Sequence, residues 1–249
     1  MGEALRLYGL NALVINAADG IGEAVARTLR KHGAQVLAVD VNVSGVEQHF
    51  KSIKGIDGMV ADLRDPARQA AMVTAAAGKL GGIDILVCDY PLRGAELITD
   101  SSATLEELLR KRAELTLAVY QASLKHLKKS PAGRIINIGF LRSLFAIDGA
   151  EAFLRSERDL AAITRALAAE TGEFGITVNY VQPGAIMAPA SRDVFQRNRE
   201  LRDHCIAQSA ARRLGEPVDV AKVVLFLASD DSMFVSGTGI RVDGGRTAD

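Results

Sequence analysis

Seven residues between an apolar run and an amphipathic stretch carry the first chemical signal: Asn16-Ala17-Ala18-Asp19-Gly20-Ile21-Gly22. The run before them, Asn11-Ala-Leu-Val-Ile-Asn16, reads as a buried strand, and Gly20 to His32 reads as a helix ended by Gly33. A second apolar run, Gln35-Val-Leu-Ala-Val-Asp40, closes on an acid about 20 residues after the turn. Strand, glycine turn, helix, then a strand ending in an acid is the order of a dinucleotide-binding unit. The glycines let backbone approach a pyrophosphate at a helix N-terminus; the acid accepts hydrogen bonds from the adenosine ribose and disfavours a 2′-phosphate. Asp19 opposes this chemistry, because it sets a carboxylate among the amides that would meet phosphate. Two like charges about 4–5 Å apart cost on the order of 1–4 kcal/mol at a partly wet site. The other reading is that Asp19 caps the next helix, in which case it still competes for the same amides.

The acid–base inventory is thin. The four tyrosines are Tyr8, Tyr90, Tyr120 and Tyr180, and four residues after each come Ala12, Gly94, Leu124 and Gly184. No tyrosine therefore shares a helix face with a lysine at that spacing. Between Lys129 and Lys222 there is no lysine at all. His32, His49, His126 and His204 are scattered, without metal-ligand spacing. Cys88 and Cys205 suggest no disulfide framework, so a reducing cytoplasm is the expected compartment. With 30 basic and 30 acidic side chains, a broad basic surface for nucleic acid is excluded. No apolar run approaches the roughly 18 residues of a membrane span. Met1-Gly2-Glu3-Ala4-Leu5-Arg6 lacks the apolar core of a signal peptide, and Arg6 breaks the myristoylation pattern.

The elements that must position these residues alternate along the chain. Helices are expected within Pro66–Lys79, near Leu105–Lys129, near Glu151–Thr171 and at Val218–Ala228. Strands are expected at Asp84–Cys88, Arg134–Ile138, Thr177–Val181 and Gly239–Val242. Continuous apolar strands joined by helices predict an α/β fold: a Rossmann-like doubly wound parallel sheet of about seven strands, covered on both faces. No linker or short repeat interrupts the pattern, so residues 1–249 read as one domain. Ala188–Arg213 stands apart, with Arg192, Arg197, Arg199, Arg202, Arg212 and Arg213 against Asp193, Glu200 and Asp203. It reads as a solvated helical face, or as a lid over a cleft that meets an anionic ligand.

The chain resembles the short-chain dehydrogenases/reductases from end to end. The resemblance runs through the glycine turn, Asp62 after the third strand, Asp84-Ile-Leu-Val87, Gly133-Arg-Ile-Ile-Asn137 and Gly175-Ile-Thr-Val-Asn179. It continues through Pro183-Gly184, Gly215-Glu-Pro217, Leu225-Phe-Leu-Ala-Ser229 and Val242-Asp-Gly-Gly245. The resemblance implies hydride transfer between a nicotinamide and a carbonyl or alcohol carbon. A Tyr moves the proton, a Lys four residues later lowers its pKa and holds the nicotinamide ribose, a Ser orients the substrate, and an Asn completes a relay. Counted from the surrounding motifs, those four positions fall on Phe153, Glu157, Phe140 and Glu114. Phe153 has no hydroxyl, Phe140 offers no hydrogen bond, and Glu157 reverses the charge that a lysine would supply. The turn departs as well, since Ile15-Asn16 stands where the family has Thr-Gly; Asn is among the residues that tolerate a left-handed backbone. The loop after the fourth strand reads Cys88-Asp89-Tyr90-Pro91 in place of Asn-Asn-Ala-Gly.

These losses carry definite expectations. The catalytic residues are absent. The cofactor positions Asn16, Asp19, Gly20, Gly22, Asp40 and Asp62 are vestigial, and no cofactor is bound by this chain. Asp19, Asp89, Glu114 and Glu157 are expected to line the former cleft, with Arg142 and Arg155 as possible counter-charges or plain surface arginines. The chain then serves as a non-catalytic subunit beside an active, NAD-dependent paralogue in a hetero-oligomer, as a tetramer built on the two long helices and the last strand. Two alternatives stay open: an oxidoreductase with Glu157 or Glu114 as a rearranged base, and a stand-alone ligand-binding module.

Overall fold

A computed structural model describes residues 6–63, 65–89, 105–139 and 150–246. Seven parallel strands form one sheet in the order β3-β2-β1-β4-β5-β6-β7. They are β1 Asn11–Ile15, β2 Gln35–Asp40, β3 Ile56–Val60, β4 Ile85–Asp89, β5 Arg134–Ile138, β6 Thr177–Pro183 and β7 Gly239–Val242. The described helices are α1 Gly20–Lys31, α2 Val43–Phe50, α3 Pro66–Leu80, α4 Leu105–Leu127, α5 Ala150–Thr171, α6 Pro189–Arg197, α7 Arg199–Ala207 and α8 Pro217–Ala228. The doubly wound parallel architecture expected from the apolar runs is what forms.

The inner strands β1, β2, β4, β5 and β6 are buried on both faces, and alternate side chains feed opposite cores. Val14, Val87, Ile136 and Ile138 pack with Val25 and Leu29 of α1 and Val220, Val224 and Leu227 of α8. Leu13, Leu86 and Ile135 pack on the other face with Met72, Val73 and Ala76 of α3 and Leu115, Val119 and Tyr120 of α4. The strand order reverses direction between β1 and β4. In open α/β sheets, ligands bind beyond the C-terminal strand ends at such a point.

Local chemistry sets the boundaries. The α3 helix starts at Pro66 because proline suits the first turn and Asp65 accepts from the Ala67 N–H at 2.9 Å. It stops at Gly81, whose φ of 79° few other residues adopt cheaply. β4 begins one residue later than its apolar run. Asp84 is a staple instead, accepting from the Asn11 N–H at 2.8 Å and from Ser130 Oγ at 2.6 Å. The arginine-rich segment is two short helices, α6 and α7. Phe195, fully buried, anchors α6. Arg202 pairs with Asp203, Arg213 pairs with Asp219, and Arg212 donates to the Ala207 carbonyl. Those contacts fit the solvated face better than an anion-seeking lid. Among the described residues, no helix is long and apolar enough to cross a membrane, and no group of His, Cys, Asp and Glu could hold a metal ion.

Asn16 takes the left-handed conformation, with φ 60°, directly after β1. Asn16→Ala is expected to lower stability by about 1 kcal/mol through left-handed strain, with Asn16→Gly neutral or better. Urea unfolding midpoints check this, and equal midpoints for the two variants would contradict it.

Candidate active site

The glycine turn is built by sterics. A Cβ on Gly22 would run into the Asn16 carbonyl, so α1 can follow the turn this closely only with glycine there. Gly20 has φ 58°, and the start of α6 packs over it, with Ala188 Cβ and Pro189 Cδ at 3.6 Å from where a side chain would begin. Asp19 is the N-cap residue of α1, yet its side chain makes no capping hydrogen bond. The capping reading is therefore not realised, and the carboxylate does not take the first-turn amides. Asp40, buried at the end of β2, accepts from the Ala18 N–H at 2.8 Å and the Asn42 N–H at 2.9 Å. Each of its oxygens keeps a second acceptor position. Asp62 lies beyond β3 and pairs with Arg68 at 3.1 Å.

On the other side of the switch point the strand ends meet α4 and α5. Glu157 of α5 is partly buried. Its carboxylate accepts from Gln182 Nε2 at 3.1 Å, and its two oxygens stand 3.0 and 3.1 Å from where a Cβ on Gly139 would lie. Phe153 falls in the first turn of the same helix, while Phe140 and Arg142 lie outside the described residues. Arg155 is exposed. Glu114 is not brought to this cleft. It ion-pairs with Arg110 and Lys111 on its own helix, and its side chain is 42% exposed.

The residue that does point inward from α4 is Arg112. It is only 5% exposed, and its guanidinium donates to the Ile138 carbonyl at the end of β5. Residues two apart on a helix face nearly opposite sides, so Arg112 and Glu114 cannot both line the cleft. Burial pulls Arg112 below its ordinary pKa, and Glu157, then Asp89, oppose that pull. An arginine so placed stays charged. Arg112 is thus a cation beside these acids that the sequence reading, which considered Arg142 and Arg155, did not place here. The signal was present in the sequence: Arg112, Leu115, Thr116, Val119 and Tyr120 form one stripe at helical spacing, and all five are buried.

The two described tyrosines near this cluster both have raised pKa values. Tyr120 is fully buried, and burial raises its pKa well above the ordinary phenol value. Burial, with Glu157 adding to it, also raises that of Tyr180. A phenol that moves a proton near neutral pH needs the opposite shift. Burial, followed by Asp89, raises the pKa of the Cys88 thiol as well, so it is not a nucleophile.

A sequence profile described as enoyl-(acyl carrier protein) reductase matches residues 16–247. The chain is a short-chain dehydrogenase/reductase. The 3-oxoacyl-[acyl-carrier-protein] reductase FabG of Vibrio cholerae is 30% identical over 97% of this chain and 98% of its own length. The (2S)-[(R)-hydroxy(phenyl)methyl]succinyl-CoA dehydrogenase subunit BbsD of Thauera aromatica is 32% identical over 95% of this chain and 96% of its own. A crystal structure described as a short-chain alcohol dehydrogenase of Sinorhizobium meliloti superposes with a TM-score of 0.81 at 28% identity, covering 97% of this chain and 98% of that one.

This family is NAD(P)-dependent, and the match runs through the turn and Asp40, which overturns the expectation that the chain binds no cofactor. The physical reason lies in the turn. The Asp19 side chain makes no capping hydrogen bond to the first-turn amides, and asparagine preserves the left-handed residue of the turn. The turn amides and Asp40 fit the adenosine half of a dinucleotide.

Arg112→Met leaves Glu157 and Asp89 without the guanidinium that both act on, and is expected to cost roughly 3 kcal/mol. Adding Glu157→Gln to that variant is expected to recover most of the loss. Urea unfolding of the two variants checks this, and an additive double variant would refute the pairing.

Proposed function

We propose that this chain is the non-catalytic subunit of a hetero-oligomeric dehydrogenase, assembled with an active NAD-dependent paralogue of the same fold. The observation that carries this reading is the exchange at Glu157. The position that supplies the family's lysine holds a carboxylate set against the buried Arg112, and the tyrosine position holds Phe153. Hydride transfer to a carbonyl needs a matched proton transfer, and no described side chain near the cluster offers one.

Assembly surfaces support the reading. The long helices α4 and α5 keep their length, and apolar side chains stand exposed before β7: Phe234 is fully exposed and Met233 is 64% exposed. Exposed apolar groups of this size mark contact surfaces. A closed tetramer of two active and two inactive chains satisfies both kinds of surface. The Thauera relative is named as a subunit of a dehydrogenase, which favours a multi-subunit enzyme. Its name also suggests the partner's substrate: a secondary alcohol carried on a CoA thioester, such as 2-[hydroxy(phenyl)methyl]succinyl-CoA.

Co-expression with an intact paralogue from the same genome, followed by native mass spectrometry, is expected to give a mixed tetramer. This chain alone is expected to show no NAD-dependent turnover. Turnover by the purified chain that Glu157→Gln abolishes would replace this proposal with an enzyme using Glu157 as base. The double variant Phe153→Tyr/Glu157→Lys is expected to stay inactive, because the introduced ammonium would face the Arg112 guanidinium.

A further inference from the structure

We propose that the cavity between the exits of β6 and β7 and the start of α8 binds a small zwitterion of the α-amino-acid class, its carboxylate on Arg241 and its ammonium on Asp243. The cavity holds about 330 Å³, a volume that suits a small molecule. It lies beside the last two strands of the sheet, away from the β1–β4 junction. The inference stands apart from the subunit reading.

Backbone hydrogen bonds hold the walls together. Gly184 N–H donates to the Val242 carbonyl, Gly215 N–H to the Ala185 carbonyl and Ala211 N–H to the Gly244 carbonyl, each at 2.9 Å. The turn after β6, the loop before α8 and the exit of β7 are thus fixed to one another, and the cavity is formed before any ligand arrives. Arg212, between two lining residues, is held in the left-handed region with φ 53°. Strain of that kind at a residue other than glycine is found at ligand clamps.

Four charged side chains line the cavity, and two of them are closed on each other. Arg213 and Asp219 pair at 2.7 Å, and Asp219 also accepts from the Glu216 N–H at 3.0 Å. Arg241 and Asp243, two residues apart, are not committed in this way. The Arg241 side chain makes no ion pair or hydrogen bond among the described residues. Asp243 spends Oδ1 on the Gly245 and Arg246 amides at 3.1 and 3.4 Å, which leaves Oδ2 to accept from a ligand. A simple anion would meet the Asp243 carboxylate, and a simple cation the Arg241 guanidinium; a zwitterion is opposed by neither and gains a charge-assisted hydrogen bond at each end. Ile186 and Val242 supply the apolar part of the wall. Ile186 packs so close over Gly215 that a Cβ there would stand 2.5 Å from Ile186 Cδ1. That wall suits an aliphatic side chain.

Ligand-observed NMR titration of the purified chain uses three probes: leucine, leucinamide, which lacks the carboxylate, and isocaproate, which lacks the ammonium. Leucine is expected to bind with a Kd of about 1 mM or tighter, and each analogue about tenfold more weakly. Arg241→Gln is expected to bring leucine down to the level of leucinamide while leaving leucinamide unchanged, which also reports an intact fold. Asp243→Asn keeps the oxygen that serves the Gly245 amide and is expected to bring leucine down to the level of isocaproate. Isocaproate binding as tightly as leucine, a leucine preference that survives both substitutions, or no saturable binding of leucine would overturn the site. Co-assembly is not read by these titrations, so the site and the subunit reading fail separately.

Discussion

A guanidinium taken out of water must be held by hydrogen bonds and by opposite charge, and Arg112 imposes that requirement on the whole C-terminal end of the sheet. Desolving an ion costs several kcal/mol even after relaxation. Here the compensation comes from separate elements: the Ile138 carbonyl at the end of β5, Asp89 at the end of β4, and Glu157 on α5. Gln182 on β6 then joins through Glu157. Removing any one member leaves the others mismatched in a low dielectric. The cluster therefore fixes how α4 and α5 meet the strand ends. Such a cluster need not raise net stability over an apolar one. Its effect is geometric, because it specifies which helix faces meet.

The other half of the crevice rests on backbone rather than charge. Asp40 joins the glycine turn to the end of β2 through the Ala18 and Asn42 amides, and Asn16 supplies the left-handed residue that starts the turn. Backbone shape of this kind survives side-chain replacement so long as the steric demands at Asn16, Gly20 and Gly22 are met. The dinucleotide crevice at this end of the sheet therefore depends little on which side chains stand beyond β5 and on α5. Proton transfer rests on a few functional groups at exact pKa values, whereas phosphate and ribose binding rests largely on amides and a carboxylate.

Much of the fold was legible because strands buried on both faces leave continuous apolar runs that no other element mimics. β5 and β7 fall where their runs predict, and α5 differs from its expected start by one residue. β3 and α2 were harder. β3 is an edge strand, Ile56–Val60, with three of its five residues exposed, so it carries no apolar run. α2 is eight residues long and is set by the Asn42 cap rather than by periodicity. In the site, Glu157 was legible by counting from the motifs that follow it. Arg112 was not, because counting fixed attention on Glu114, two residues and nearly half a helical turn away. The burial stripe through Leu115 and Val119 separates the two, since an arginine on that stripe must face the sheet.

The exchange at Glu157 and the presence of Arg112 are best understood as one change rather than two. Without the arginine, Glu157 and Asp89 would be two partly buried anions sharing no cation, and without Glu157 the arginine would keep only Asp89 as counter-charge. Either single step costs several kcal/mol, while the pair restores neutrality between them. By the same reasoning, a lysine at position 157 would enter a pocket already occupied by the Arg112 guanidinium, so the two positions are coupled in charge. The charge at the strand ends is thus set jointly by positions 112 and 157, within a chain that is neutral as a whole.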